Sequence, residues 1–96
     1  MKASHQYQVV TSSKEFGEAI RAQRKAKGLT QHEIAHMSPH IASRCLSEIE
    51  RGKPTAQIGK ALVLAHDVNF DVLLLDTRLT PKVLRALQSS DGDSVE

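Results

Sequence analysis

The sequence Gly-Leu-Thr-Gln-His-Glu-Ile-Ala-His at residues 28–36 constrains the fold most, because it both ends one helix and begins another. Glycine commonly follows the last residue of a helix, so Gly28 predicts a stop. Thr30 with Glu33 three residues later has the form of a capping box, in which each side chain bonds to the other residue's backbone N–H. We therefore predict one helix that stops near Gly28 and a second that starts directly after Thr30.

The same residues also contain His32-Glu33-Ile34-Ala35-His36, the HExxH pattern of zinc proteases. On a helix this spacing puts two histidines on one face, with the glutamate available as a general base. A catalytic zinc needs a third protein ligand, for which Glu50 and His66 are possible by sequence distance only. We therefore interpret His32 and His36 as exposed polar positions and predict no enzyme activity, no metal and no cofactor. A small zinc hydrolase stays as a distant alternative.

Composition and charge indicate a small intracellular protein. The 96 residues suffice for one small domain, and 13 Lys and Arg against 11 Asp and Glu give a formal charge of +2. The basic residues flank the 28–36 stretch, whereas residues 91–96 are acidic and small. Scarce aromatic residues disfavour single-strand binders that stack bases. With one cysteine, no long apolar run and no signal-peptide core, the chain is expected to be soluble and cytoplasmic, with no membrane segment.

Helical periodicity and helix-breaking residues divide the chain into three parts. We expect an N-terminal arm at 1–12, a helical domain at 13–78, and a short helix with a disordered acidic tail at 79–96. Within the domain a fourth helix should begin at Pro54-Thr55 and point Ile58, Leu62 and Ala65 inward. The first three predicted helices span about 13–27, 31–37 and 42–51.

The segment from Phe70 to Asp76 is apolar and bounded by polar residues, so it could be a buried strand or a short helix, and we favour a strand. A lone strand leaves both edges unpaired. Pairing with its copy in a second subunit would bury Phe70, Val72 and Leu74, which we predict to be dimerisation residues. A strand that closes on Tyr7 to Val10 of the same chain is the alternative.

Two segments carry a resemblance to a known family. One is Arg24-Lys25-Ala26-Lys27-Gly28-Leu29-Thr30-Gln31 followed by Glu33-Ile34-Ala35, and the other is Ser47-Glu48-Ile49-Glu50-Arg51-Gly52-Lys53-Pro54-Thr55. They resemble the Xre and λ-repressor-type helix-turn-helix family. The runs Tyr7 to Ile20, Gly52 to Lys60 and Phe70 to Asp76 further resemble the HipB-like antitoxins, so the resemblance covers about Tyr7 to Asp76. The resemblance implies a mainly α, λ-repressor-like helix-turn-helix domain of four to five helices with a short C-terminal dimerisation strand.

The resemblance also implies a function and its partners. It implies a homodimeric, sequence-specific transcriptional repressor that binds palindromic double-stranded operator DNA. HipB-like proteins act as antitoxins, so we further expect a HipA-like serine/threonine kinase toxin that this chain binds and restrains, with autoregulation of the operon. A stand-alone Xre-type transcriptional regulator without a toxin is the alternative.

The family's third helix enters the major groove by its N-terminal part, which gives the expected contacts. The base contacts implied are Ala42, Ser43, Arg44 and Ser47. Arg44 is the best candidate, because arginine can pair through two nitrogens with guanine, and a phosphate contact or a solvated charge is the alternative. The phosphate contacts implied are Lys25, Lys27, Thr30, Gln31, Arg51 and Lys53.

The resemblance further implies a structural ion pair between Arg24 and Glu50, which would fix the angle of the recognition helix. The sequence departs from the family at residues 38–40, where the turn is one residue longer than usual. The register of Ala42 and Ser43 therefore stays open by one residue. Cys45 is interpreted as a small packed side chain.

Overall fold

A computed structural model describes the chain at residues 7–38 and 40–93. These residues contain five helices: α1 (Ser13–Ala26), α2 (Gln31–Met37), α3 (Ser43–Glu50), α4 (Ile58–Asp67) and α5 (Thr80–Asp93). The chain divides into two compact units, one at Val9–Val72 that holds α1 to α4, and one whose described residues are 7–8 and 73–93. In the described part no helix is long and apolar enough to cross a membrane.

Side-chain caps begin the first two helices. Ser12 caps α1, since its hydroxyl accepts a hydrogen bond from the backbone N–H of Glu15 at 3.1 Å. At α2 the Thr30 hydroxyl accepts from the N–H of Glu33 at 3.0 Å, and the Glu33 carboxylate accepts from the N–H of Thr30 at 2.8 Å. The capping box predicted from the sequence is therefore formed, and it satisfies two backbone donors that the helix cannot satisfy itself.

Left-handed residues end α1 and α3. Gly28 has φ 74° and Gly52 has φ 81°, a conformation that glycine adopts without steric cost. The residue after each glycine donates its N–H to a carbonyl of the preceding helix, from Leu29 to Arg24 at 3.2 Å and from Lys53 to Glu48 at 3.1 Å. This arrangement satisfies carbonyls that would otherwise lack partners at the helix ends.

One hydrophobic core holds α1 to α4 together. Half-buried side chains pack around it, including Phe16, Leu29, Cys45 and Phe70. Cys45 therefore lies where a small apolar residue would, as interpreted from the sequence. The buried members are Ile20, Ile34, Ile41, Leu46, Ile49, Leu64, Ala65 and Val68.

Helices α1 and α3 approach closely at Gly17. A Cβ atom placed on Gly17 would lie 2.3 Å from the carbonyl oxygen of Ile49 and 2.7 Å from that of Glu50. Both neighbours are backbone atoms, which cannot rotate away as a side chain could. Any larger residue at position 17 would therefore separate α3 from α1.

The inner face of α4 differs from the prediction. The helix begins at Ile58 rather than at Pro54-Thr55, because the chain forms a turn there in which the N–H of Ala56 donates to the carbonyl of Lys53 at 3.2 Å. Ile58 is 74% exposed and Leu62 is 45% exposed, so both predictions of inward side chains are wrong. The prediction for Ala65 is confirmed, because it is buried in the core, and Ala61, Leu64 and Val68 pack there with it.

The predicted C-terminal strand does not form within the described residues. Residues 70–76 and 7–10 are irregular, and neither segment pairs as a strand with any other described segment. A segment that has no neighbouring strand edge cannot form a ladder of its own. The alternative prediction, a strand closed on Tyr7 to Val10 of the same chain, does not form among the described residues either.

Helix α5 is longer than predicted. It begins at Thr80 and runs to Asp93, whereas the sequence predicts only a short helix before a disordered acidic tail within residues 79–96. The serine, aspartate and glycine residues at 89–93 have poor helix propensity, but each costs only about 0.5–1 kcal/mol relative to alanine and none blocks the helix as proline would. The predicted tail residues 94–96 and arm residues 1–6 lie outside the described residues.

Replacing Gly17 by alanine should lower the free energy of unfolding by about 1–3 kcal/mol, the usual cost of overpacking a tight contact. Gly59→Ala is the matched control, because nothing lies within 4 Å of a Cβ at this position in α4. The control should be neutral or stabilising by up to about 1 kcal/mol through helix propensity. Urea unfolding of both variants measures the difference, and equal midpoints would contradict the close approach of α1 and α3.

Candidate nucleic-acid interface

A buried ion pair joins α1 to α3. The Nε of Arg24 lies 2.6 Å from Oε2 of Glu50, and its Nη2 donates to Oε1 of Glu50 at 3.0 Å. Only 8% of the Arg24 side chain and 2% of the Glu50 side chain are exposed. Two parallel hydrogen bonds between a guanidinium and a carboxylate fix both the distance and the angle between their helices. These are the two residues that the family resemblance pairs.

The same two side chains also reach the beginning of α2. Arg24 donates through Nη1 to the carbonyl of Leu29 at 2.7 Å, and Gln31 donates through Nε2 to Oε1 of Glu50 at 3.0 Å. We call Arg24, Gln31 and Glu50 the Glu50 network. Through this network, side chains of α1 and α2 both donate hydrogen bonds to one carboxylate of α3. The sequence predicts a phosphate contact for Gln31, but one N–H of its amide is engaged here and one is left for another acceptor.

Burial and hydrogen bonding act in opposite directions on Glu50. Burial is the largest single influence and raises the pKa of its carboxyl group. The hydrogen bonds from Arg24 and Gln31, with the charges of Arg24 and Arg21, outweigh burial and leave the pKa of Glu50 below its ordinary value. Glu50 is therefore ionised at neutral pH, as its bidentate contact with Arg24 requires.

The N-terminal half of α3 presents the residues expected to read bases. Ala42 is the N-cap of α3, which begins at Ser43 rather than at residue 42 as predicted, and both are exposed. The Arg44 side chain is 90% exposed. Ser47 lies one turn further along and is half-buried, and its hydroxyl accepts from Nη1 of Arg51 at 2.6 Å. The first turn of α3 thus carries Arg44 and the exposed Ser43, and the half-buried hydroxyl of Ser47 lies one turn further along.

Sequence reasoning missed one side chain of this surface, Glu48. Its Oε2 lies 3.5 Å from Nε of Arg44 and 3.3 Å from Nζ of Lys53. The Glu48 carboxylate therefore lies between Arg44, which is expected to contact a base, and Lys53, which is expected to contact a phosphate. The signal was present in the sequence, since Arg44 and Glu48 are four residues apart and such positions are neighbours on a helix surface.

The other expected phosphate contacts lie at helix ends. Lys25 is in the last turn of α1, Lys27 follows this helix, and both are exposed. Arg51 is the residue that ends α3, and it is exposed as well. Thr30 caps α2 as an acceptor, which leaves its hydroxyl proton for another partner. These side chains therefore stand at the surface, where a phosphate could approach them.

The HExxH residues are placed differently from a zinc site. The Glu33 carboxylate, which the motif would use as a base, accepts from the N–H of Thr30 in the capping box. Glu50, a possible third ligand, is engaged in the Glu50 network. His32 and His36 line an open concavity beside His40. Among the described residues no group of three His, Cys, Asp or Glu side chains is placed to hold a metal ion.

Comparison with known proteins agrees with the arrangement of α2 and α3. The chain is 34% identical over 61 residues to an uncharacterized HTH-type transcriptional regulator, y4mF, of Sinorhizobium fredii, and the match covers 64% of this chain and 79% of that protein. The chain belongs to the HTH-type transcriptional regulators. No protein-family model matches this regulator, and no solved structure does.

The three predicted dimerisation residues of the regulator have different environments. Phe70 is half-buried and packs against the core of its own chain, so it is not freely available to a second subunit. Its N–H donates to the carbonyl of Ala65 in α4 at 2.8 Å, which keeps the backbone of Phe70 close to the end of this helix. Val72 is 52% exposed and Leu74 is 91% exposed. Both side chains are therefore accessible, and exposed apolar side chains mark a surface for association where they form a contiguous patch.

Replacing Glu50 by glutamine should destabilise the regulator at neutral pH by about 3–5 kcal/mol, because it leaves the charge of the buried Arg24 unpaired. Folding lowers the pKa of Glu50, so the ionised carboxylate contributes fully to the free energy of unfolding above the ordinary pKa of 4.5. This contribution is lost as the pH falls through the pKa that Glu50 has in the folded protein. The difference in free energy of unfolding between wild type and variant should therefore shrink in the same acidic range.

Urea unfolding at a series of pH values from neutral downward measures this difference. Glu18→Gln, which removes one negative charge from the exposed surface of α1, is the matched control. A difference between wild type and Glu50→Gln that is the same at every pH would contradict the role of the ionised carboxylate.

Proposed function

We propose that the regulator is a sequence-specific DNA-binding repressor whose α3 lies in the major groove. The observation that carries this proposal is the exposed beginning of α3, where the Arg44 side chain is 90% exposed next to the exposed Ser43. An arginine can donate two hydrogen bonds to O6 and N7 of guanine, and serine hydroxyls can contact several bases. In helix-turn-helix proteins this part of the second helix of the motif contacts base edges.

The Glu50 network supports the proposal, because reading bases requires a recognition helix held at a fixed angle. Arg24 and Gln31 hold Glu50 from α1 and α2, and Gly17 lets the backbones of α1 and α3 approach closely. These contacts all lie on the inner side of α3. Its outer side is therefore left for DNA while its orientation is fixed by buried contacts.

The phosphate contacts of the proposed complex come from cations at the ends of the helices. Lys25 and Lys27 lie at the end of α1, and Arg51 and Lys53 follow α3. Contacts of this kind position a protein on the duplex without reading its sequence. The Thr30 hydroxyl and the second amide N–H of Gln31 would also donate to a phosphate, because both lie at the first turn of α2, where the helix dipole favours an anion.

We propose that the regulator acts as a homodimer on a palindromic operator. The exposed side chains of Val72 and Leu74 and the irregular segment around them support association with a second copy. Two such segments, one from each subunit, could pair as strands, so that their backbone N–H and C=O groups bond to each other. A two-fold dimer then places two recognition helices about 34 Å apart, one helical turn of DNA.

The antitoxin role is proposed from the resemblance of Tyr7 to Asp76 to HipB-like proteins. In this role the regulator would bind and restrain a HipA-like kinase toxin and repress the operon that encodes both. A kinase-like gene beside the regulator's own gene, and co-purification of its product, would support this role. Neighbouring genes without a kinase would favour a stand-alone Xre-type regulator instead.

Replacing Arg44 by alanine should remove discrimination at one or two base pairs, at a cost of about 1–3 kcal/mol on the preferred duplex. Lys53→Ala should instead weaken binding to all sequences alike and flatten the salt dependence by about one phosphate contact. Binding is measured by fluorescence anisotropy on a duplex enriched by the wild type from a random-sequence pool, and on poly(dI–dC). If Arg44→Ala weakens both probes equally, Arg44 does not read bases.

Replacing Val72 by aspartate should convert the dimer to monomers, because a charge would be buried in the apolar contact between subunits. Val9→Asp is the matched control, since Val9 is similarly exposed at 58% but lies outside the proposed segment. Sedimentation velocity of the two variants and the wild type gives the oligomeric state. A dimer that persists in Val72→Asp would remove this segment from the interface.

A further inference from the structure

Glu48 is the carboxylate that α3 presents on its outer side. The other glutamate of the helix, Glu50, is buried in the Glu50 network. The Glu48 side chain is 20% exposed, and the same oxygen, Oε2, lies 3.5 Å from Nε of Arg44 and 3.3 Å from Nζ of Lys53. One negative charge is therefore shared between two cations that the proposed function assigns to DNA.

The two cations keep Glu48 ionised. The hydrogen bond from Lys53 is the largest influence and lowers the pKa of the Glu48 carboxyl group, and the charges of Lys53 and Arg44 act in the same direction. A negative charge consequently stays on this surface at neutral pH. It must be present when the surface meets the phosphates of a duplex.

A carboxylate at this position affects the two kinds of DNA contact unequally. Binding to random DNA depends on neutralising phosphates, and Glu48 both occupies Lys53 and repels an approaching phosphate. Base reading depends instead on hydrogen-bond geometry at the groove edge. Repulsion and the engagement of Lys53 weaken binding to every sequence alike, whereas the contact with Arg44 favours only the preferred sequence. Glu48 therefore lowers the affinity for random DNA relative to the affinity for the preferred sequence.

The geometry of Arg44 leaves its base-reading atoms available. Glu48 contacts the guanidinium through Nε, four residues along the helix. No hydrogen bond among the described residues uses the two terminal nitrogens of Arg44. These nitrogens are the pair that would contact O6 and N7 of guanine. The ion pair thus restricts the position of the Arg44 side chain and leaves its two terminal nitrogens available to a base.

We propose that Glu48 is a specificity-determining residue of the DNA interface, which holds Arg44 in place and reduces binding to random DNA by neutralising Lys53. The inference rests on the proposed function. It differs from a purely structural role, in which a surface ion pair would add a little to helix stability and nothing to DNA selection. It concerns the ratio of specific to random binding rather than the existence of binding.

Glu48→Gln tests the inference, with Glu18→Gln as the control for the loss of one negative charge elsewhere. Glu48→Gln should bind poly(dI–dC) more tightly and with a steeper salt dependence. For each additional phosphate that the variant neutralises, its affinity should fall by about a further three- to fourfold between about 50 and 200 mM salt. Binding to the duplex enriched from the random pool should rise less, so that the ratio of the two affinities falls.

Two further variants separate charge from shape and identify the cation. Glu48→Asp keeps the negative charge, so binding to poly(dI–dC) should stay close to that of the wild type. In the double variant Glu48→Gln with Lys53→Ala, most of the added binding to poly(dI–dC) should disappear. Thermal unfolding followed by circular dichroism verifies that all variants are folded.

The outcomes distinguish this inference from the proposed function. If the wild type binds no duplex and enriches no sequence, the proposed function is wrong and the role of Glu48 with it. If the wild type binds but Glu48→Gln behaves like Glu18→Gln, only the role of Glu48 is wrong. If Glu48→Gln loses the enriched duplex and binds poly(dI–dC) unchanged, Glu48 contacts a base directly and the inference is overturned.

Discussion

The carboxylate of Glu50 receives hydrogen bonds from two other helices, and the position of α3 depends on it. Arg24 reaches it from α1 and Gln31 reaches it from α2, while Arg24 also bonds to the carbonyl of Leu29 just before α2. An uncompensated charge at this depth would cost several kcal/mol, so the carboxylate and the guanidinium each require the other. Because the contacts are directional, they fix the orientation of α3 more tightly than apolar packing alone does.

This constraint separates the two sides of α3. Leu46 and Ile49 enter the core and Glu50 enters the network, so the helix cannot rotate about its own axis. Arg44 and Glu48 must then face outward, where they form an ion pair with each other. Binding and stability consequently depend on different residues of one short helix, and the outer residues can change without loss of the fold.

The first three helices could be predicted because local signals determine their ends. The capping box of Thr30 and Glu33 and the left-handed glycines Gly28 and Gly52 act within a few residues of chain. The inner face of α4 and the segment after it could not be predicted in this way. Apolar spacing puts Ile58 inside, but the turn before α4 moves the start of the helix and leaves this side chain outside. Residues 70–76 form no strand because a strand needs a partner, which the described part of the chain does not provide.

The sequence by itself determined the motif, since helix caps, breakers and apolar spacing are local properties. It also indicated Arg24 and Glu50 as partners, through family resemblance rather than through physics. Only the tertiary structure decided what surrounds each side chain. In it, Gln31 bonds to Glu50, and Phe70 packs against the core of its own chain. Lys53 lies beside Glu48 across the turn that ends α3. Such contacts depend on how separate segments pack, and the order of residues along the chain does not contain that information directly.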